Sequence, residues 1–182
     1  MKSTAPGLLI AMPTLQDPNF TETVVLMLEH NVEGAVGLVV NRPYPGEKAL
    51  ISAGLDLEWD NDAVGGIRMG GPVRVQAGCI VHLPPLAFDD TQDLGANLRV
   101  STSREALEGL IEDGNAPFHL ILGYAGWGPG QLEWEMTQGT WLSAPLSSSI
   151  IFDTDPSDMY DAALATLGIT RHDLALTNTA VN

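Results

Sequence analysis

The sequence predicts one mixed α/β (α+β) domain, residues 1–182, with a hairpin-rich mixed sheet and about two main helices packed on it. Three observations carry this. Dense apolar runs of strand length recur along the chain, a turn-rich pentapeptide joins two of them, and two segments show a helical apolar stripe between a cap and a glycine stop.

The first strand is Gly7-Leu-Leu-Ile-Ala-Met12. Thr23-Val-Val-Leu-Met-Leu-Glu29 and Ala35-Val-Gly-Leu-Val-Val40 follow, joined by His30-Asn-Val-Glu-Gly34 as a hairpin loop. Gly78-Cys-Ile-Val-His-Leu83, Asn97-Leu-Arg-Val100 and Phe118-His-Leu-Ile-Leu122 are further strands. In Gln131-Leu-Glu-Trp-Glu-Met136 apolar and polar residues alternate, which predicts a half-exposed strand. The first helix takes Thr102 or Ser103 as its cap, buries Ala106, Leu107, Leu110 and Ile111, and stops at Gly114. The second has Asp155 at the cap and Pro156 at the first helical position, with Tyr160, Ala163, Leu164 and Leu167 buried before Gly168. Residues 43–66, rich in Gly, Asp and Glu, form the least regular stretch and the candidate mobile excursion.

Composition narrows the function classes. Twenty-three acidic residues against eight basic ones leave a formal net charge of −15, and the basic residues form no run. Such a surface repels phosphate backbones, so direct binding of duplex DNA is not expected. A single cysteine, Cys79, excludes internal disulfides and multi-cysteine zinc sites and suits a reducing, cytoplasmic setting. The apolar stretch Leu8–Met12 is too short for a signal-peptide core or a membrane span. No cofactor and no metal is expected.

The most distinctive segment is Gly123-Tyr-Ala-Gly-Trp-Gly-Pro-Gly-Gln131. Its glycines suit a tight connection more than a phosphate cradle, because no helix is expected after it and no Lys-Ser/Thr pair completes it. Tyr124 and Trp127 would still offer aromatic contacts on a loop. Met69-Gly-Gly-Pro72 reads as a second glycine turn. Ile150-Ile-Phe-Asp153-Thr-Asp155 resembles the opening of haloacid-dehalogenase-type phosphatases, but only 27 residues follow Asp155 and helix capping accounts for the acids. Cys79 and His82 fall on opposite faces of a strand, which predicts a buried, inert thiol. His30, beside Glu29 at a strand end, is a base or ligand only if a partner converges on it from elsewhere. His119 and His172 have no such neighbour, and Ser147-Ser-Ser149 is plain loop composition.

Taken in order, Leu9-Ile-Ala-Met-Pro13, Asp17-Pro-Asn-Phe20, Thr23-Val-Val25, Glu29-His30, Gly34-Ala-Val-Gly37 and Val40-Asn-Arg-Pro43 form the first half of an ordered set. Gly70-Gly-Pro72, Gly78-Cys-Ile-Val-His82, Thr102-Ser-Arg104, Leu122-Gly-Tyr-Ala-Gly-Trp127, Gly130-Gln-Leu-Glu133 and Trp141-Leu142 complete it. The set spans nearly the whole chain and resembles the YqgE/AlgH family of bacterial proteins. The resemblance implies a mixed α/β fold with an unusual sheet arrangement. It also implies the label of transcriptional regulator, which derives from regulatory phenotypes and not from a DNA-binding motif. Cys79 departs from the apolar residue usual in that family, which argues against a shared role for the thiol.

The reading that leads is a non-enzymatic binding or regulatory protein acting through an unknown protein partner or a small ligand, with no membrane partner. Its candidate site comprises His30, Asn41, Arg42, Gly70, Gly71, Pro72, Tyr124, Gly126, Trp127, Gly128, Gly130 and Gln131. The alternatives are a phosphate-ester hydrolase using His30, His82 or the Asp153/Asp155 pair, and a regulator that binds DNA directly.

Overall fold

A computed structural model describes residues 3–59 and 65–179. The strands are β1 Gly7–Ala11, β2 Val24–Asn31, β3 Gly34–Val39, β4 Gly65–Met69, β5 Val73–His82, β6 Gln92–Gly95, β7 Leu98–Ser101, β8 Phe118–Trp127 and β9 Trp141–Ala144. The helices are α1 Lys48–Leu55, α2 Arg104–Asp113, α3 Gln131–Thr137, α4 Ser148–Phe152, α5 Met159–Ala165 and α6 Arg171–Thr179. All nine strands join one sheet in the order β6-β7-β5-β8-β3-β2-β1-β9. There β4 pairs in parallel with β8, and the other pairings are antiparallel.

β1 and β2 are continuous apolar runs because both of their faces are covered. Leu8, Ile10, Val24 and Leu26 face Met159, Tyr160, Ala163 and Leu164 of α5. Leu9, Ala11, Val25 and Met27 face a second layer built by Trp127, Leu132 and Trp141. A third cluster lies where α2 places Ala106, Leu107 and Leu110 against Phe118, Leu120 and Ile80.

β8 is the spine that joins these clusters, and Gly123 decides how. Phe118 and Leu120 point into the α2 cluster and Ile121 into the α5 cluster, so even and odd positions face opposite ways. Beyond Gly123 the parity reverses: Tyr124 packs toward α5, while Ala125 and Trp127 enter the layer under α3. Gly123 has φ +74°, and the pairing with β5 jumps there from Gly78↔Leu122 to Val73↔Tyr124. One residue in the left-handed region thus turns Trp127 to the face where the sequence needs it. The neighbouring turn allows no side chain either. A Cβ on Gly70 would collide with the Gly123 carbonyl, and one on Gly71 with the Tyr124 backbone.

Six expected strands are present, with boundaries within a few residues, and Ser103 and Gly114 cap α2 as expected. Several expectations are overturned. Gln131–Met136 is helix, not strand: Gln131 with Glu135, and Leu132 with Met136, are also i,i+4 pairs, and an acid in the first turn suits a helix. Gly123–Trp127 is strand and not loop, so the glycine-rich connection shrinks to Gly128-Pro-Gly130. Ile150–Phe152 is helical, and Ser147, read as loop composition, caps that helix by accepting from Ile150 N. The second expected helix begins at Met159, with Asp155 holding the preceding turn through Ser157 and not capping the helix itself. Helices α1 and α6 went unread, so six helices stand among the described residues where about two were expected.

Candidate functional site

The residues singled out in the sequence fall into two groups along β3 and β8. At one end, the His30 side chain is 4% exposed, and its Nε2 lies 3.2 Å from Glu133 on α3. The Thr4 backbone N–H donates to His30 Nδ1 at 3.1 Å, so Nδ1 carries the lone pair and Nε2 carries the proton shared with Glu133. Gln131 accepts from Gly128 N and donates to Glu135 at 2.9 Å. Glu135 accepts the indole N–H groups of both Trp127 and Trp141, at 2.9 and 2.7 Å. Gly130, at φ +73°, starts the helix that carries these groups. Gly126 lies against the Tyr124 ring.

At the other end, Asn41 accepts from Val24 N and donates to Glu22 O, while Arg42 donates to Pro18 O and Thr21 O. These bonds fasten the loop between β1 and β2 to the sheet. Gly70 accepts from Val39 N, and Gly71 with Pro72 leads into β5. The polar side chains of His30, Trp127, Gln131, Asn41 and Arg42 are therefore engaged by this chain's own atoms, and no member of either group lines the apolar groove beneath α1.

The residues weighed for catalysis are placed as follows. His82 is fully buried and its Nε2 lies 3.2 Å from Ser101 Oγ, itself 1% exposed. A serine beside a histidine has the geometry of an activated nucleophile. Here, though, the proton chain is internal: Phe88 N–H donates to Thr91 Oγ1, which reaches Ser101 Oγ at 2.8 Å, which reaches His82. Burial lowers the His82 pKa. Cys79 sits on the opposite face of β5; it is partly buried where full burial was expected, and burial pushes its thiol up to about 12. Asp155 spends its carboxylate on Ser157. Arg68, near it, has its pKa lowered by burial, an effect the Asp155 charge opposes. His119 stacks on Phe152 with centroids 4.8 Å apart, and burial, then Arg68, pushes it down to about 4. Among the described residues no three His, Cys, Asp or Glu side chains converge to hold a metal ion, and no helix is long and apolar enough to cross a membrane.

The feature that the sequence did not disclose is an apolar groove of about 830 Å³ beneath α1. Its floor is Met69, Gly78, Ile80, Leu120 and Leu122 from β4, β5 and β8. One wall is Leu50, Ile51 and Leu55 of α1; the other is Thr102, Ser103, Arg104 and Leu107 at the start of α2. Gly78 keeps the floor low, because a Cβ there would stand 3.1 Å from Leu120 Cδ1. Leu50 and Val75 edge the opening and are 66% and 49% exposed, unusual for residues of this size. The polar groups at its end are held in place: Asp90 accepts from the backbone and hydroxyl groups of Thr102 and Ser103, and Arg104 donates to Leu55 O, Asp56 O and Glu108. Arg104 thus ties α1 to α2 and sets the groove's width. The signal that would have found it was α1, whose Ala-Leu-Ile-Ser-Ala core was hidden between proline, glycine and acidic neighbours.

A family model described as AlgH-like matches residues 8–172. A UPF0301 protein of Dechloromonas aromatica is 40% identical over 164 residues, which is 88% of each chain. The solution structure of the AlgH protein from Pseudomonas aeruginosa superposes with a TM-score of 0.76 at 38% identity, covering 93% of this chain and 94% of that one. A crystal structure from Corynebacterium diphtheriae shares the fold, with a TM-score of 0.71 at 23% identity over 90% of this chain and 87% of the other. Three of the segments that carry the resemblance contribute to the groove: Gly78–His82 and Leu122–Trp127 to its floor, and Thr102–Arg104 to a wall. The chain belongs to the AlgH-like family of bacterial proteins.

Proposed function

We propose that this chain is a non-enzymatic, cytoplasmic binding protein whose regulatory effect runs through a ligand or partner seated in the groove beneath α1. The observation that carries this reading is the groove itself: about 830 Å³, walled by aliphatic side chains and rimmed by exposed Leu50 and Val75. Its size falls in the range of roughly 300–1,000 Å³ that suits a specific ligand. Its polar groups are few, and those of Thr102, Ser103 and Arg104 are already engaged, so affinity comes mainly from apolar burial. The high negative charge supports contact with a partner or a neutral ligand over a nucleic acid.

Titration with N-phenylnaphthylamine, an uncharged apolar fluorophore, tests this. The wild-type protein should raise and blue-shift its emission in a saturable way, and Ile51→Asp should abolish the response while circular dichroism stays unchanged. A response that survives Ile51→Asp, or no response from the folded wild type, rules the groove out as the site.

A further inference from the structure

A bulge in β5 sets an uncommitted arginine at the lip of the groove. β7 pairs with Ile80, Val81 and His82 alone, so β5 runs on past it along the groove's side. Opposite β8 its register skips from Val73 to Gly78, and Arg74–Ala77 bulge outward over Gly123. A Cβ on Gly123 would stand 3.2 Å from Val75 Cα, so the bulge lies where glycine leaves room for it. Arg74 is held at φ +44°, a left-handed conformation that a long side chain adopts at a cost. Two hollows meet at this bulge. Val75 and Gln76 belong to the groove, and they also line a shallow hollow of about 510 Å³ with Pro72, Arg74 and Ala77. Neither lining includes an aspartate or a glutamate, in a chain with 23 acidic residues. Arg74 is also the one exposed lysine or arginine among the described residues with no hydrogen bond or ion pair.

Resting on the groove reading above, we infer that the groove binds a fatty-acid anion, its aliphatic tail beneath α1 and its carboxylate on Arg74. The lining selects the tail. Apart from Tyr44, every apolar side chain along the groove is aliphatic or methionine, a surface that a flexible unbranched chain fits without ring stacking. The uncommitted cation selects the head. A guanidinium offers paired N–H donors to one carboxylate, and the neighbouring Gln76 amide adds a further donor. Arg104 cannot serve, because it is committed to Glu108 and to the carbonyls of Leu55 and Asp56. One arginine matches one negative charge. A nucleotide or polyphosphate would bring further charges without a partner, in a protein that already carries −15.

Competition against bound N-phenylnaphthylamine on the full-length protein tests the inference, with every amphiphile kept below the concentration at which it forms micelles. Laurate should displace the dye in a saturable way. Dodecanol, with the same tail, should bind roughly tenfold more weakly, and dodecylamine more weakly still. Arg74→Gln keeps a long side chain on the same backbone. It should bring laurate down to the level of dodecanol and leave dye binding unchanged. Arg74→Lys should retain most of the preference, and added salt should weaken laurate but not dodecanol. Should Arg74→Gln fail to fold, the laurate-to-dodecanol ratio in the wild type and its salt dependence decide. Equal affinity of the wild type for laurate and dodecanol, or laurate binding indifferent to Arg74→Gln, overturns the inference. If the dye still binds in those cases and Ile51→Asp abolishes it, the groove reading stands and this inference alone fails. If the folded wild type does not bind the dye, or Ile51→Asp leaves it bound, both fail.

Discussion

The indole N–H of Trp127 donates to the Glu135 carboxylate at 2.9 Å, locking the last residue of β8 to the helix that follows it. Trp141 donates to the same oxygen from β9, so one carboxylate holds three elements around the aromatic layer formed with Phe20. The glycine-rich segment that looked most like a ligand loop in the sequence is in this way the foundation of α3.

Glu135→Ala should leave two nearly buried indole donors without acceptors. Each orphaned donor costs about 1–3 kcal/mol, so a loss of about 2–6 kcal/mol is expected in urea unfolding. Glu135→Gln keeps an acceptor and should lose less than half as much. Equal losses in the two variants would show that packing, and not the shared acceptor, is at stake.

Asp90 governs part of the acid limb of stability. Burial raises its pKa, but hydrogen bonds from Thr102 and Ser103 outweigh that and hold it at about 2. A carboxylate depressed in the folded state stabilises fully above its unfolded value of about 3.9, and the contribution fades as pH falls through the folded value. Asp90→Asn should therefore flatten the stability profile between about pH 4 and pH 2, with little change in its slope above that window.

His119 acts in a higher window with the same sign. Pushed down to about 4, it is neutral in the folded protein at neutral pH. An unfolded imidazole takes up its proton near pH 6.5, so stability is complete above that value and is lost as pH falls from about 6.5 to 4. Its ring resonances should titrate with a midpoint near 4, and His119→Phe, stacked on Phe152, should remove the loss in that interval. A midpoint near 6.5 in the native protein would contradict the burial of the ring.

Direct binding to duplex DNA should be absent at physiological salt. The charged residues of α2 are Arg104, Glu105, Glu108, Glu112 and Asp113, and the one cation is paired with Glu108 at 2.6 Å. At a Debye length of roughly 8 Å, neighbouring carboxylates act on any small basic patch as strongly as phosphates would. Fluorescence anisotropy with random and promoter duplexes should show no saturable binding tighter than about 10⁻⁶ M.

What the sequence determined by itself was six strands (β1, β2, β3, β5, β7 and β8), the capped helix α2 and the family, while β4, β6 and β9 went unread. Those properties are local: two-sided burial writes an unbroken apolar run, and a cap with a glycine stop marks a helix within a dozen residues. Gln131–Met136 shows where local information fails, because residues spaced by two and by four both fit its pattern. Only the position of Trp127 and Trp141, on strands reached through Gly123 and Thr140, makes Glu135 an anchor and the segment a helix. The groove was decided entirely in three dimensions. Its floor comes from three strands distant in the chain, its walls from two helices joined by Arg104, and its open side from the place where β7 ends short of β5. No residue in it is unusual by itself; the exposure of Leu50 and Val75 has meaning only once the groove that they edge is assembled.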